Sequence, residues 1–303
     1  MQVITSHNEM SEGLFGMVIL FSFEVLPILE EQNIDVNNIK WDISTVNYGE
    51  IFPNILEYNS NYIDPISVHN KVRLFYLRSL IPQYALGDDF VRLNKLFFKY
   101  FRIPSKIQQI VDTYDLSDCL GLHFRGTDKT ADQNMNTPMT KGDFCIILES
   151  YLAKNKTSKI FLATDEAELY CYLKNTYTDI KIISSRDFEN NLFWRNPADK
   201  QLNATQAMVD MLCLSKCSVV LKVSSALSAF AKIINPDLKI YRLNAVKMFS
   251  DIPYFPDAYI PLLTKDSEYK KDCNQTLDEI QKNDWSHKYG KLFCNFYVNP
   301  RLN

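Results

Sequence analysis

In the stretch Cys119-Leu120-Gly121-Leu122-His123-Phe124-Arg125-Gly126-Thr127-Asp128-Lys129-Thr130, an apolar run ends abruptly in a cluster of ionic groups. A run of this kind reads as a buried strand, so His123, Arg125 and Lys129 fall at its carboxyl end. In open α/β sheets that edge is where ligands bind. A guanidinium can hold two oxygens at once, so fixed positive charge there suits a phosphorylated ligand. Gly126 lets the backbone turn and approach that ligand closely. The plainer alternative is a strand end with solvated charges, and it leaves the clustering of cations at a buried strand's tip unexplained.

Three further segments carry polar groups at comparable places. Phe161-Leu162-Ala163-Thr164-Asp165-Glu166 ends a second strand at a helix start. There Asp165 serves either as helix cap or as a wall of the same site. Asp210 is a lone acid in the apolar helical run Ala207-Met208-Val209-Asp210-Met211-Leu212-Cys213-Leu214. Burying it demands a partner. A neighbouring lysine, the backbone, or the paired N–H donors of a guanine ring would each serve. Lys222-Val223-Ser224-Ser225-Ala226 places two hydroxyls between a strand and a helix. Ser225 is then a cap, or Ser224 and Ser225 meet a phosphate at the helix start.

The elements that must position these residues alternate regularly. Strands are expected over 119–125, 159–163, 180–184, 217–223 and 239–243. Helices are expected over 141–153 (capped by Thr140), 166–175 (capped by Asp165), 204–215 and 225–234. Such alternation indicates a parallel sheet covered on both faces, an α/β fold. The earlier residues read as a strand over 2–5, a polar loop, and a helix over 14–31. Helices follow over 71–80, 90–101 and 105–114, with Ser105 as a cap after Pro104. Asp88-Asp89 reads as a turn and helix cap. The chain divides near 104–117 into two α/β halves, 1–104 and 105–249, and the tail 250–303 packs back on the first. A cleft between two such halves is a common ligand site.

Composition narrows the class. The 303 residues are 46% hydrophobic and 23% charged, which is ordinary for a folded chain. A net charge of −3 supplies no global field for nucleic acid, so none is expected as a partner. The seven cysteines are scattered and odd in number, without zinc-site spacing. Reduced thiols and a cytoplasmic setting are expected, with a Cys273–Cys294 bridge as the alternative pairing. The most apolar run, 16–29, is interrupted by Glu24 and Pro27. It is too short to span a bilayer, and no basic region precedes it as in a signal peptide.

Together the four blocks resemble the fucosyltransferase superfamily with the two-domain glycosyltransferase-B (GT-B) fold. It includes the α-1,6-fucosyltransferases, the bacterial nodulation fucosyltransferase and the protein O-fucosyltransferases. His123-Phe124-Arg125-Gly126-Thr127-Asp128-Lys129 is similar to the first motif, usually HxRRTDK. Phe161 to Asp165 is similar to the second, and Asp210 through Ser224-Ser225 to the third. The resemblance spans about 105–245 and implies two Rossmann-like domains facing across a cleft. It further implies an inverting transfer of fucose from GDP-fucose to a glycan hydroxyl, without metal or cofactor. Arg125 and Lys129 then hold the diphosphate, His123 contacts the nucleotide, Asp165 lines the site, Asp210 pairs with guanine, and Ser224 and Ser225 bind phosphate. Asp128 and Asp132 join Arg125 and Lys129 as the catalytic set.

The chain departs from its α-1,6 relatives at two places. Gly126 stands where they often carry a second arginine, and Gln133 where they have a glutamate proposed as base. The base is therefore left among Asp128, Asp132 and the N-terminal Asn8 or Glu9. Two rival readings accompany these departures. One is a transferase using GDP-mannose, GDP-rhamnose or UDP-xylose. The other is a non-catalytic carbohydrate-binding relative. The first half, where Tyr58, Tyr62, Tyr76 and Tyr84 are candidates for sugar stacking, carries no recognisable motif.

Overall fold

The structure is a computed structural model. It describes residues 2–5, 14–15, 40–42, 44–45, 48–51, 54–58, 70–73, 89–126, 139–188, 199–243, 260–261 and 263.

Five parallel strands form the main sheet: β8 (Leu120–Phe124), β9 (Lys159–Thr164), β10 (Lys181–Ile183), β11 (Val219–Lys222) and β12 (Lys239–Arg242). Their order is β10-β9-β8-β11-β12. The chain starts in the middle, builds out to one edge, then crosses back to lay β11 and β12 on the other side of β8. The reversal between β8 and β11 is a topological switch point, and it opens a crevice beyond the strands' carboxyl ends.

All five residues of β8 are buried, as a strand covered on both faces requires. Gly121 has a packing reason. A Cβ there would lie 2.8 Å from Val220 Cγ2 and 3.1 Å from Cys217 Sγ. One face of the sheet packs Leu120, Leu122 and Phe124 against Phe144 and Leu148 of α3 (Lys141–Lys154) and Leu169 and Leu173 of α4 (Ala167–Thr176). The other packs Phe161, Val220 and Ile240 against α5 (Lys200–Lys216) and α6 (Ala226–Ile234).

That second core does not stop at residue 105. It also takes in Ile51, Ile55 and Leu56, together with Phe97 of α1 (Phe90–Tyr100). Phe97 meets Phe230 edge to face, with centroids 5.1 Å apart. Asn94 Nδ2 donates to the carbonyls of Ile233 and Ile234, both at 2.9 Å, holding α1 on the end of α6.

A smaller parallel sheet joins β1 (Gln2–Thr5) to β2 (Lys40–Asp42) and β6 (Asn70–Arg73). Short antiparallel pairs join β3 (Ser44–Thr45) to β4 (Gly49–Glu50) and β5 (Glu57–Tyr58) to β7 (Phe101–Arg102). The strand β6 corrects the helix expected over 71–80. Residues 70–73 pair in parallel with all of β1, and pairing with a distant strand outweighs local helix propensity. Residues 74–80 lie outside the described residues. So does most of the helix expected over 14–31, of which Leu14 and Phe15 are helical and buried.

Other differences are at element ends. The helix α2 (Ser105–Asp112) takes Pro104, not Ser105, as its cap position. A proline there has already fixed the entry angle, so no side-chain cap is needed. The helix α5 begins four residues earlier than expected, because Asp199 caps it through the Leu202 N–H at 2.8 Å. Thr140 and Asp89 cap α3 and α1 as expected. Among the described residues no helix is long and apolar enough to cross a membrane. The thiols of Cys119, Cys145, Cys171, Cys213 and Cys217 are free. Cys273 and Cys294 lie outside the described residues.

Candidate functional site

At the switch point the last residues of adjacent strands stand in one row. His123 of β8 is in register with Ala163 of β9 and Lys222 of β11, and Lys222 with Arg242 of β12. Residues paired in this way share a face of the sheet, here the face covered by α6. His123 is only 4% exposed, and its Nδ1 lies 2.9 Å from the Ser228 hydroxyl. That contact fixes the ring's orientation. Lys222 is completely buried, and its ammonium donates to the Ser225 carbonyl at 3.2 Å. The lysine thus ties the end of β11 to the start of α6.

Arg125 follows β8 directly and is half-buried. The turn after it is held from β9. Gly126 donates its N–H to Asp165 Oδ1 at 3.0 Å. Asp165 is therefore not the cap of α4, as one expectation had it. Glu166 occupies the cap position, without a side-chain capping bond. The acid is instead spent on the neighbouring strand's turn, where it draws two loops together at the sheet edge.

Glu166 explains the glycine beside Arg125. A Cβ on Gly126 would lie 2.0 Å from Glu166 Oε1. The carboxylate fills that space and reaches Lys141 Nζ with its other oxygen at 2.6 Å. Hydrogen bonds to Glu166 and Glu168 hold the Lys141 ammonium above its usual range.

Asp210 comes from the middle of α5 and is 2% exposed. Ser185 donates its hydroxyl to Oδ1, and Arg186 Nη2 stands 3.5 Å from Oδ2. Burial pushes the carboxyl above the usual carboxylate range. The Arg186 guanidinium and the Ser185 hydrogen bond oppose that shift.

His123, Arg125, Asp165, Arg186, Asp210 and Ser225 line one open cleft, to which Tyr48 and Asn203 also contribute. Ser225 sits at the cap position of α6 and makes no side-chain capping bond. The first-turn N–H groups of α6 lack intrahelical acceptors and carry the positive end of its dipole. The lining of the cleft therefore includes a cation, Arg125, with a helix start, and a buried carboxylate paired with Arg186. Such a pocket can take a ligand with an anionic part and a hydrogen-bond-donating ring.

The structure thus brings five expected residues together: His123, Arg125, Asp165, Asp210 and Ser225. Ser224 is buried next to Ser225 but does not line the cleft. Asp128, Lys129, Asp132 and Gln133 lie outside the described residues. Arg186, Ser185, Ser228 and Glu166 were not singled out from the sequence. For Arg186 a signal existed: it stands three residues beyond β10, at the same sheet edge as Arg125.

No protein-family model matches the chain, and no curated protein matches it. Among solved structures, the fucosyltransferase NodZ from Bradyrhizobium is similar. Its TM-score is 0.51 at 15% identity, over 80% of this chain and 95% of that one. NodZ α-1,6-fucosyltransferase co-crystallised with GDP also has a TM-score of 0.51, at 14% identity, over 80% and 94% of the two chains. At such identities the likeness is one of fold. The chain has the α/β, GT-B-type fold that the motifs implied.

Proposed function

We propose that the chain is an inverting, metal-independent glycosyltransferase that moves fucose from GDP-fucose to a glycan hydroxyl. The observation that carries this reading is the convergence of Arg125, the start of α6 and the buried Asp210 on one cleft at the switch point. The fold shared with NodZ, one structure of which was co-crystallised with GDP, supports it. So do His123, Arg125, Asp165, Asp210 and Ser225, which belong to the motifs that resemble those of fucosyltransferases and line the cleft.

In this reading the diphosphate lies between Arg125 and the first turn of α6, and the base points toward Asp210 and His123. The acceptor hydroxyl attacks C1 of the sugar as the bond from C1 to the diphosphate oxygen breaks. The electron pair of that bond leaves with GDP, and the hydroxyl proton passes to a carboxylate. Asp128 and Asp132 are the candidates closest in sequence to Arg125. Charge grows on the departing diphosphate, so a guanidinium already in place lowers the barrier without reorganising. Asp165 contributes by fixing the Gly126 turn through which Arg125 is aimed.

The test is transfer and hydrolysis of GDP-fucose, GDP-mannose and a UDP-sugar, with a glycan library as acceptor. GDP-fucose is expected to turn over fastest. Arg125→Ala is expected to lose at least about 100-fold in rate, the usual scale for removing a preorganised charge donor, with its melting temperature unchanged. An Arg125→Ala variant as active as the parent would end the reading. Tight GDP binding without turnover of any donor would favour a non-catalytic carbohydrate-binding protein.

A further inference from the structure

The carboxylate assigned to the base is not vacant. Asp210 is held from the cleft side by Arg186, a residue of the β10–α5 connection that lines the same pocket. The chemistry of the two possible occupants is the same. The N1–C2–N2 edge of guanine is a cyclised guanidine. Like an arginine head group, it offers paired N–H donors to a carboxylate; here Arg186 Nη2 stands 3.5 Å from Oδ2 while Ser185 holds Oδ1. Asp210 is 2% exposed, and Ser185 takes its other oxygen.

We infer that Arg186 is an internal stand-in for guanine. It is paired with Asp210, and the incoming base must take the carboxylate from it. This rests on the nucleotide-binding reading above and adds to it a residue that tempers how strongly guanine is preferred. The exchange has two consequences. Without ligand, Arg186 keeps a buried acid paired, which an apolar replacement would not. With ligand, only a base that replaces the guanidinium's donors can pay back the broken pair. Hypoxanthine keeps the N1–H and lacks the 2-amino group, so it replaces them in part. Uracil presents one ring N–H between two carbonyls, which a carboxylate repels. Arg186 therefore acts only against a base that reaches for Asp210: guanine must displace it, whereas uracil binds with the Arg186–Asp210 pair in place.

The test is calorimetric titration of the full chain with GDP, inosine diphosphate and UDP. The readout is the ratio of affinities, since the loss of one positive charge near the phosphates affects all three alike. Arg186→Gln removes the competitor, so the GDP-to-UDP affinity ratio is expected to rise about three- to tenfold, with inosine diphosphate between them. Arg186→Lys keeps the charge but loses the fork, and the ratio should rise less. Asp210→Asn should collapse it. An unchanged or lower ratio in Arg186→Gln overturns the exchange while leaving nucleotide binding intact. A parent protein that binds GDP and UDP equally, or neither, overturns both readings. If neither arginine variant folds, the side-chain ¹⁵N signal of Arg186 in the parent decides. It should move on adding GDP and stay in place on adding UDP, and the reverse sinks the idea.

Discussion

Arg125 and Asp210 show how differently single residues can be read. Arg125 was legible because its neighbours declare its position: an apolar run before it and a glycine after it. Asp210 was legible as an anomaly, an acid in an apolar helix, but not its partners, because Ser185 and Arg186 are 24 and more residues away. Its burial leads to a pH prediction. The folded carboxyl titrates above its unfolded value, so its protonation favours the folded state. That contribution is present at low pH and is lost as pH rises through the raised value. Guanine needs the ionised form. The preference for GDP over UDP should therefore fall as the medium is acidified through that raised value, and Asp210→Asn should flatten the profile. Titrations at several pH values check this, and a preference constant down to the ordinary carboxylate range would refute it.

Gly126 belongs to the same scale. A larger side chain at this position has no room while Glu166 holds its place. Gly126→Ala should cost about 1–2 kcal/mol through crowding. The displaced Glu166–Lys141 pair is partly exposed and adds little. Glu166→Ala in the same chain should restore most of that loss. Urea unfolding of the two single variants and the double variant measures the coupling, and strict additivity would count against the contact.

At the scale of elements, the alternating pattern was readable because each strand of a covered sheet must be apolar and several helices begin with a capping side chain. Thr140 illustrates the rule: its hydroxyl accepts from the Asp143 N–H at 3.1 Å and donates to Asp143 Oδ2 at 2.7 Å. Asp199, the cap that extends α5 to Lys200, accepts from the Leu202 N–H at 2.8 Å at the start of the helix that carries Asp210 and Asn203. Asp199→Ala should cost about 1 kcal/mol and weaken GDP more than it weakens the fold, because the first turns of α5 lead into the cleft. A melting curve and a GDP titration together test this. Equal loss in both would mean the cap matters for stability alone. The strand β6 was misread for a reason that lies outside the segment. Asn70-Lys71-Val72-Arg73 has no pattern of its own strong enough to declare a strand, and β1 supplies the pairing.

For the whole molecule, the governing fact is where the sheet reverses. Because β11 returns to the far side of β8, His123, Lys222 and Arg242 stand in one row, and α6 begins above them. Behind α6, the rings of Phe97 and Phe230 join α1 to the same core. Phe97→Ala should destabilise by about 3–5 kcal/mol. It should also weaken nucleotide binding in whatever fraction stays folded, since α1 braces the helix whose start faces the cleft. Chemical denaturation gives the first quantity and calorimetry the second. A large loss of stability with unaltered GDP affinity would show that the brace does not reach the site.

The amino-acid sequence alone determined the class of the fold and the residues with chemical potential. Apolar periodicity, caps and charged strand ends are local properties that survive without knowledge of what packs where. Only the tertiary structure decided how those residues are used. Asp165 holds a turn instead of capping a helix, Gly126 makes space for a carboxylate, and Asp210 faces Arg186. Each of these depends on contacts between segments far apart in the chain, and such contacts are settled by which strands become neighbours in the sheet.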